Sequence, residues 1–250
     1  MRGTAALLLV AGLASPQDYP PAPGFDLDGS DPEAVSIANE VMEALGGYEA
    51  WNETRFLTWK FFGRRTHVWD KHTGNLRFEN EGTIVLMNLN TKQGRAFENG
   101  EEILDDAKRE EALQRAYGAW INDAYWVFMP YKLKDTGVTL RYLGNRTTEA
   151  GAEADVLELT FESVGLTPEN KYHVYVDKTT RLVTQWDYYP KATDSEPGFK
   201  IPWQDWKRYG AILLSADRGE RKHENLAVLE NVPDSVFESP APLDPLAYAR

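Results

Sequence analysis

The chain has 250 residues, 42% of them hydrophobic and 26% charged, which is enough apolar material for one large domain with its own core. Its 27 basic and 39 acidic residues leave a formal charge of −12, a field that repels phosphate backbones and argues against nucleic acid as a partner. Cysteine is absent, which excludes disulfides, thiolate metal sites, cysteine nucleophiles and a lipidated cysteine in the sequence as written.

In chain order, MRGTAALLLVAGLASPQ carries one arginine and then an apolar run from Ala5 to Ala14. The run is too short to span a bilayer, and Gly12-Leu13-Ala14 offers the small residues a signal peptidase needs. Residues 1–14 therefore read as a cleaved secretory signal, and the expected location is periplasmic or secreted. Residues 15–30 are rich in Pro, Gly and Asp, the composition of a linker.

A helix follows. Ser30 or Asp31 caps it, Pro32 occupies its first turn, and Val35, Ala38, Val41, Met42 and Leu45 share one face before Gly46-Gly47 stops it. From Phe56 the period becomes two. RFLTWKFFG, THVWD, NLRFE, GTIVLMNLN and GRAFENG are short aromatic and β-branched segments separated by Gly, Asn and Asp. A second helix is expected over roughly Asp105 to Ala124. Ala112, Leu113, Ala116, Tyr117, Trp120, Ile121 and Ala124 form its apolar face, Asp105–Arg109 and Glu111–Arg115 its charge pairs, and Pro130 its stop.

Strands then return in VTLRYLG, ADVLELTFE, KYHVYVD, RLVTQWDYYP, IPWQDWKRYG, AILLSAD and NLAVLENV. Leu157, Leu159 and Phe161 face one way, and Glu158, Thr160 and Glu162 the other. WDKHTGNL and VDKTTRLV each place Asp-Lys and then Thr at a tip, where Asp70 and Asp177 are expected to fold back onto their own backbone. Residues 31–238 read as a single domain, and the Pro-rich 239–250 as a loosely packed tail. The order helix, strands, helix, strands lacks a βαβ rhythm. It gives a mainly β, α+β fold, in which a curved antiparallel half-barrel sheet has helices covering its concave face.

Motifs for catalysis are missing: the chain has no GxSxG, P-loop, GxGxxG or HExxH. His67, Asp70 and His72 could be drawn as three metal ligands, but two of them sit at a hairpin tip and read as surface polar residues. Glu158 and Glu162, at strand spacing, read as the solvated side of a strand rather than a glycosidase pair. No catalytic residue, metal or cofactor is expected.

Four stretches, EALGGYEAWNETRFLTWKFFG, RRTHVWDKHTGNLRFE, NDAYWVFMPYKLKDTGV and YHVYVDKTTRLVTQWDYYP, resemble an uncharacterised group of exported bacterial proteins close to the lipoprotein carriers LolA and LolB. The resemblance spans about Glu43 to about Gly219 of this chain, within the outer-membrane lipoprotein-sorting superfamily. It implies an incomplete antiparallel barrel closed by helices, with an apolar cavity that accepts acyl chains. No residue of the carriers' lipoprotein-binding chemistry maps onto this chain.

The expected function is a non-enzymatic, exported binding protein for an acyl chain, lipid or other apolar ligand, with transient contact to membrane or lipoprotein. Expected lining residues are Trp59, Phe61, Trp69, Tyr142, Trp186 and Tyr188. At the rim, Trp126, Phe128 and Met129 would point inward, with Lys132 and Lys134 just outside to meet a head group. Whether the interior is open or filled with rings is left undecided by the pattern. The alternative is a carbohydrate-binding or cell-envelope adaptor module that stacks sugars on Trp203 and Trp206.

Overall fold

The computed structural model describes residues 19–162, 165 and 167–250, so the expected signal over 1–14 lies outside the described residues. The first helix, α1 (Pro32–Ala44), and a short α2 (Tyr48–Glu53) are joined through Gly46 and Gly47, both at positive φ. A Cβ on Gly46 would stand 2.4 Å from the Ala211 carbonyl oxygen, so only glycine lets the chain turn this close to its neighbour. Asp31 precedes α1, but its carboxylate accepts from the Tyr142 backbone (2.9 Å) instead of capping the helix.

Five strands and a short sixth follow: β1 (Phe56–Phe61), β2 (Arg65–Asp70), β3 (Asn75–Asn80), β4 (Thr83–Asn88), β5 (Gly94–Glu98) and β6 (Glu101–Glu102). The long helix α3 (Asp106–Phe128) then runs into a 3₁₀ turn, Met129–Lys132. It extends past the expected end at Ala124 because Pro130 falls in the first turn of the 3₁₀ segment, where its missing N–H is not needed. At its start Asp105 caps Lys108 N, and Arg109 pairs with Asp106 rather than Asp105, while Glu111–Arg115 pairs as expected.

The second half contains β7 (Val138–Thr147), β8 (Glu153–Phe161), β9 (Lys171–Asp177), β10 (Val183–Tyr189), β11 (Phe199–Pro202), β12 (Gln204–Tyr209), β13 (Ile212–Arg218), β14 (Arg221–Lys222) and β15 (Glu224–Leu229). A last helical turn, α4, covers Ser235–Glu238. All pairings are antiparallel: a seven-stranded sheet β15-β1-β2-β3-β4-β5-β6, a five-stranded sheet β11-β10-β9-β8-β7 and a three-stranded sheet β12-β13-β14.

The mainly β, antiparallel character and the lack of a closed barrel are as expected, but among the described residues the strands divide into three sheets rather than one curved sheet. The division between the last two falls at Pro202. Pro202 is the last residue of β11 in register with β10 and has no N–H to donate; one further bond to β10, from Trp203 N to Thr184 O, precedes the departure of the chain as β12 to pair with β13.

Both hairpin tips behave as the sequence suggested. Asp70 Oδ1 accepts from His72 N (3.0 Å) and Thr73 N (3.3 Å), and Asp177 Oδ1 from Thr179 N (3.0 Å) and Thr180 N (2.7 Å).

The principal core joins α1, the last turns of α3, the inner face of β1 and the inner residues of β7 to β10, β13 and β15. A second cluster packs the first half of α3 onto β3, β4 and β5 through Leu76, Phe78, Val85, Leu113 and Ala116. Together they account for the helices lying against sheet faces.

Two segments expected to be loose are packed. Residues 19–30 run beside β7, where Ala22 N donates to Lys134 O, Asp26 N to Val138 O and Asp31 N to Leu140 O. The Pro-rich tail lies on the outer face of the first sheet, because the buried Arg77 donates to the carbonyls of Ser239 (2.7 Å) and Ala241 (2.7 Å). Leu243 and Tyr248 add apolar contact there, and Arg250 N donates to Val228 O.

Candidate functional site

The alternation of β10 sends Trp186 and Tyr188 to the same side, that of β8 sends Phe161 there, and that of β9 sends Tyr172. The extra turn of α3 carries Tyr125 and Trp126 onto this surface. Trp186 is almost wholly buried, with Tyr172 stacked on it at 4.8 Å, Trp126 edge-on at 5.0 Å and Tyr125 at 5.9 Å. Around it the rings continue from Trp126 to Phe199 (5.8 Å), Tyr188 (4.7 Å onward), Tyr172 (5.4 Å) and Phe161 (5.7 Å). Trp126, Tyr188, Tyr172 and Phe161 are half-buried and Phe199 is 36% exposed, so a seam of ring faces and edges reaches the surface between α3 and the five-stranded sheet.

The expected lining residues separate into groups. Trp186 and Tyr188 meet at this seam together with the expected rim residue Trp126. Trp59, Trp69 and Phe128 meet in a second cluster deeper in the core, with Phe128 5.2 Å from Trp59 and 5.9 Å from Trp69. Phe61 joins the seam side, 6.2 Å from Trp126, and also meets Phe62 and His223. Tyr142 stands apart, its hydroxyl donating to Asp155 (2.8 Å). Met129 is fully buried in the principal core.

The two lysines do not form a basic rim. Lys134 is 3% exposed, donates to Asn39 Oδ1 (2.7 Å) and Tyr19 O, and lies 3.7 Å over the Tyr19 ring. Lys132 is part-exposed and paired with Asp135 three residues on. The 3₁₀ turn places the first lysine outward and rolls the second under residue 19. Trp203, offered as a sugar platform, is 1% exposed, and Trp206 donates its indole N–H to Val183 O (2.9 Å), so the pair presents no open stacking face.

The surface depressions among the described residues include one of about 260 Å³ and one of about 360 Å³. The first lies between β4 and α4, with Leu86, Met87 and Phe237 among its walls, and the second among Glu33, Glu40, Asp155, Lys178 and Arg181. Neither of these two is lined by an expected site residue; where those residues meet, neighbouring rings lie 4.8–5.9 Å apart.

Polar groups under the seam were not anticipated. Asp123, wholly buried on α3, accepts two bonds from Arg65 (Nε and Nη2, both 2.7 Å) and one contact from His67 Nε2 (2.8 Å). Burial pushes the Asp123 carboxyl up, but His67 and Arg65 outweigh it and hold it below the usual carboxylate range. Burial pulls His67 below its ordinary value despite the neighbouring carboxylate, and because that carboxylate can only accept, Nε2–H is the donor toward Asp123, which Arg65 already matches. Its ring stacks on Trp59 at 4.5 Å. His67 is thus a core residue and not a hairpin-tip ligand. Asp70 is held by Arg55 (2.8 Å) and its own turn, and His72 bonds Asn52 O (2.8 Å). Among the described residues, no group of three His, Asp or Glu side chains is placed to hold a metal ion.

Arg218 is 3% exposed and lies 3.6 Å over the Trp203 ring. His223 is 4% exposed and stacks on Phe62 at 4.9 Å. Its ring nitrogens make no hydrogen bond of normal geometry, although the Trp126 backbone is near enough to favour the charged form a little. Burial, reinforced by the Arg218 charge, pulls His223 down to about 3. Trp186 Nε1, Trp203 Nε1, Tyr125 Oη and Arg218 Nε are also buried without a partner.

No protein-family model matches the chain, and no curated protein sequence matches it. The chain is similar to a DUF1329 family protein from Desulfovibrio piger at 14% identity and TM-score 0.42, over 83% of this chain and 98% of that one. It is also similar to a Vibrio parahaemolyticus domain described as that of an outer membrane lipoprotein-sorting protein, at 11% identity and TM-score 0.41, over 82% and 96% of the two chains. A LolA superfamily protein from Nitrosomonas europaea matches at 10% identity and TM-score 0.32, again over 82% and 96%. These are structural similarities at low identity to DUF1329 and LolA-superfamily proteins.

Proposed function

We propose that this chain is an exported, non-enzymatic binding protein that receives a single acyl chain or comparably slender apolar molecule at the aromatic seam beside Trp126. The observation that carries this reading is the unbroken run of part-exposed rings from Trp126 through Phe199 and Tyr188 to Tyr172 over the buried Trp186. Entry would be by displacement of the half-buried Trp126 and the exposed Phe199, the two rings of the run that lie nearest to solvent on the helix side. Holding comes from burial of methylenes against ring faces at about 0.8 kcal/mol each. The resemblance of the sequence to lipoprotein-sorting proteins adds the expectation of an envelope carrier that touches membrane or lipoprotein briefly.

The test is a titration of the protein with octanol and decanol, followed by tryptophan emission. Saturable binding is expected, with decanol about tenfold tighter than octanol for its two extra methylenes. Trp126→Ala is expected to weaken decanol by roughly tenfold or more. Absence of saturation, or equal affinity for the two alcohols, overturns the reading.

A further inference from the structure

Beneath the seam, the guanidinium of Arg218 is buried with no carboxylate partner. Its Nη1 donates to Ser215 Oγ (2.8 Å) and Asp217 O (2.8 Å), and its Nη2 to Trp126 O (2.7 Å) and Ser215 O (3.2 Å). Every acceptor is neutral. The adjacent Asp217 carboxylate is engaged by Lys222 at 2.8 Å. A buried cation normally has a paired charge as well as hydrogen bonds, because neutral oxygens replace its hydration only in part. The Nε–H has no acceptor at all.

The same cluster gathers further donors in the same condition. Trp203, which lies against the guanidinium, leaves its indole N–H without an acceptor, as does Trp186, 5.6 Å away. Tyr125, 5.9 Å from Trp186, leaves its hydroxyl unmatched. Three unmatched N–H donors and one unmatched hydroxyl thus lie along the line of contacts that runs from Arg218 through Trp203 and Trp186 to Tyr125, and these are groups that an anionic oxygen group would satisfy. Among the described residues Arg218 is the buried cation of this cluster, with Arg65 and Lys222 already matched by Asp123 and Asp217 and His223 held down by burial, so a monoanion fits it better than a doubly charged phosphate.

We propose that Arg218, with the indole N–H groups of Trp203 and Trp186, binds the carboxylate of an amphiphile whose alkyl chain lies along the aromatic seam. This rests on the apolar-ligand reading above and adds the head group to it. The competing account is that Arg218 only ties β13 to the Trp126 carbonyl of α3 and that the indoles are left unmatched by tight packing. Burial draws the guanidinium down to about 9, which still leaves it charged at neutral pH.

Decanoate and decanol, equal in chain length, separate the two accounts when titrated at pH 8 against the unaltered protein. Decanoate is expected to bind at least tenfold more tightly than decanol. In Arg218→Gln that ratio should fall to about one, and in Trp203→Phe, which keeps the ring but removes the N–H, it should fall about threefold. If decanol binds and decanoate is no tighter, the head-group assignment is overturned while the apolar reading stands. If neither binds, both fall. A ratio that persists in Arg218→Gln or in Trp203→Phe overturns the assignment to these donors, and the comparison in the unaltered protein decides the matter even if Arg218→Gln fails to fold.

Discussion

Asp123→Ala is expected to cost about 3–5 kcal/mol of stability, the range for breaking a buried ion pair from one side. The carboxylate is wholly buried and accepts from Arg65 twice and from His67, so its removal strands both partners. Arg65 keeps 28% of its side chain in water and can recover some solvation, which favours the lower half of the range. His67 has no such recourse: its side chain is wholly buried, with Nδ1 already unmatched and the apolar rings of Trp59 and Phe78 against it. Asp123→Asn keeps the shape and one acceptor, and should lose about half as much. Urea denaturation of the three proteins checks this, with the midpoint falling and the slope unchanged. A loss below about 1 kcal/mol for Asp123→Ala would mean that the bridge between α3 and β2 carries no net stability.

Acidification should destabilise the protein well before its carboxylates titrate. His223 has an ordinary value of 6.5 and is held near 3 in the fold, chiefly by burial. The unfolded chain therefore takes up a proton near pH 6.5 that the folded chain refuses, and stability falls as pH drops from 6.5 toward 3. The slope is about 1.4 kcal/mol per pH unit for this one group, or nearly 3 kcal/mol by pH 4.5. His67 is shifted in the same direction by the same cause and adds to the loss. Asp70, Asp123 and Asp217 are held below their usual value of 3.8 and contribute with the same sign, but at lower pH. The check is urea midpoints between pH 7.5 and 4.5 in the parent and in His223→Phe, whose ring keeps the contact with Phe62. The variant should lose most of the His223 share of the slope, whereas a parent with flat stability down to pH 5 contradicts the assignment.

Much of this fold can be seen in residue patterns that depend on one neighbourhood at a time. The turns at Asp70 and Asp177 are local hydrogen-bonding units, and the alternation Leu57, Trp59, Phe61 needs only a strand with one buried face. The failures arise where distant segments meet. Nothing near Lys134 in the sequence indicates that residue 19 comes to cover it, and nothing in the tail that Arg77 holds its carbonyls. The seam depends on α3 lying against β9 and β10, which no local pattern specifies.

Two signals for the buried polar groups were nevertheless present. Asp123 is seven residues after Ala116 and three after Trp120, on the apolar face of its helix, where an unmatched carboxylate calls for partners. Arg65 and His67 share the side of β2 that carries Trp69, so alternation already points His67 toward the core. The unmatched indoles have no such signature, because a tryptophan reads the same whether or not its N–H finds an acceptor.

The aromatic seam is proposed to hold an acyl chain. Native mass spectrometry of the protein purified without detergent, with organic extraction of the same sample, tests it most directly. The account predicts a bound species of fatty-acid or acyl-lipid mass in near-stoichiometric amount from the parent, and a severalfold smaller amount from Trp126→Ala. Recovery of the bare polypeptide mass alone, from material that also fails to take up decanoate added at saturation, would contradict it.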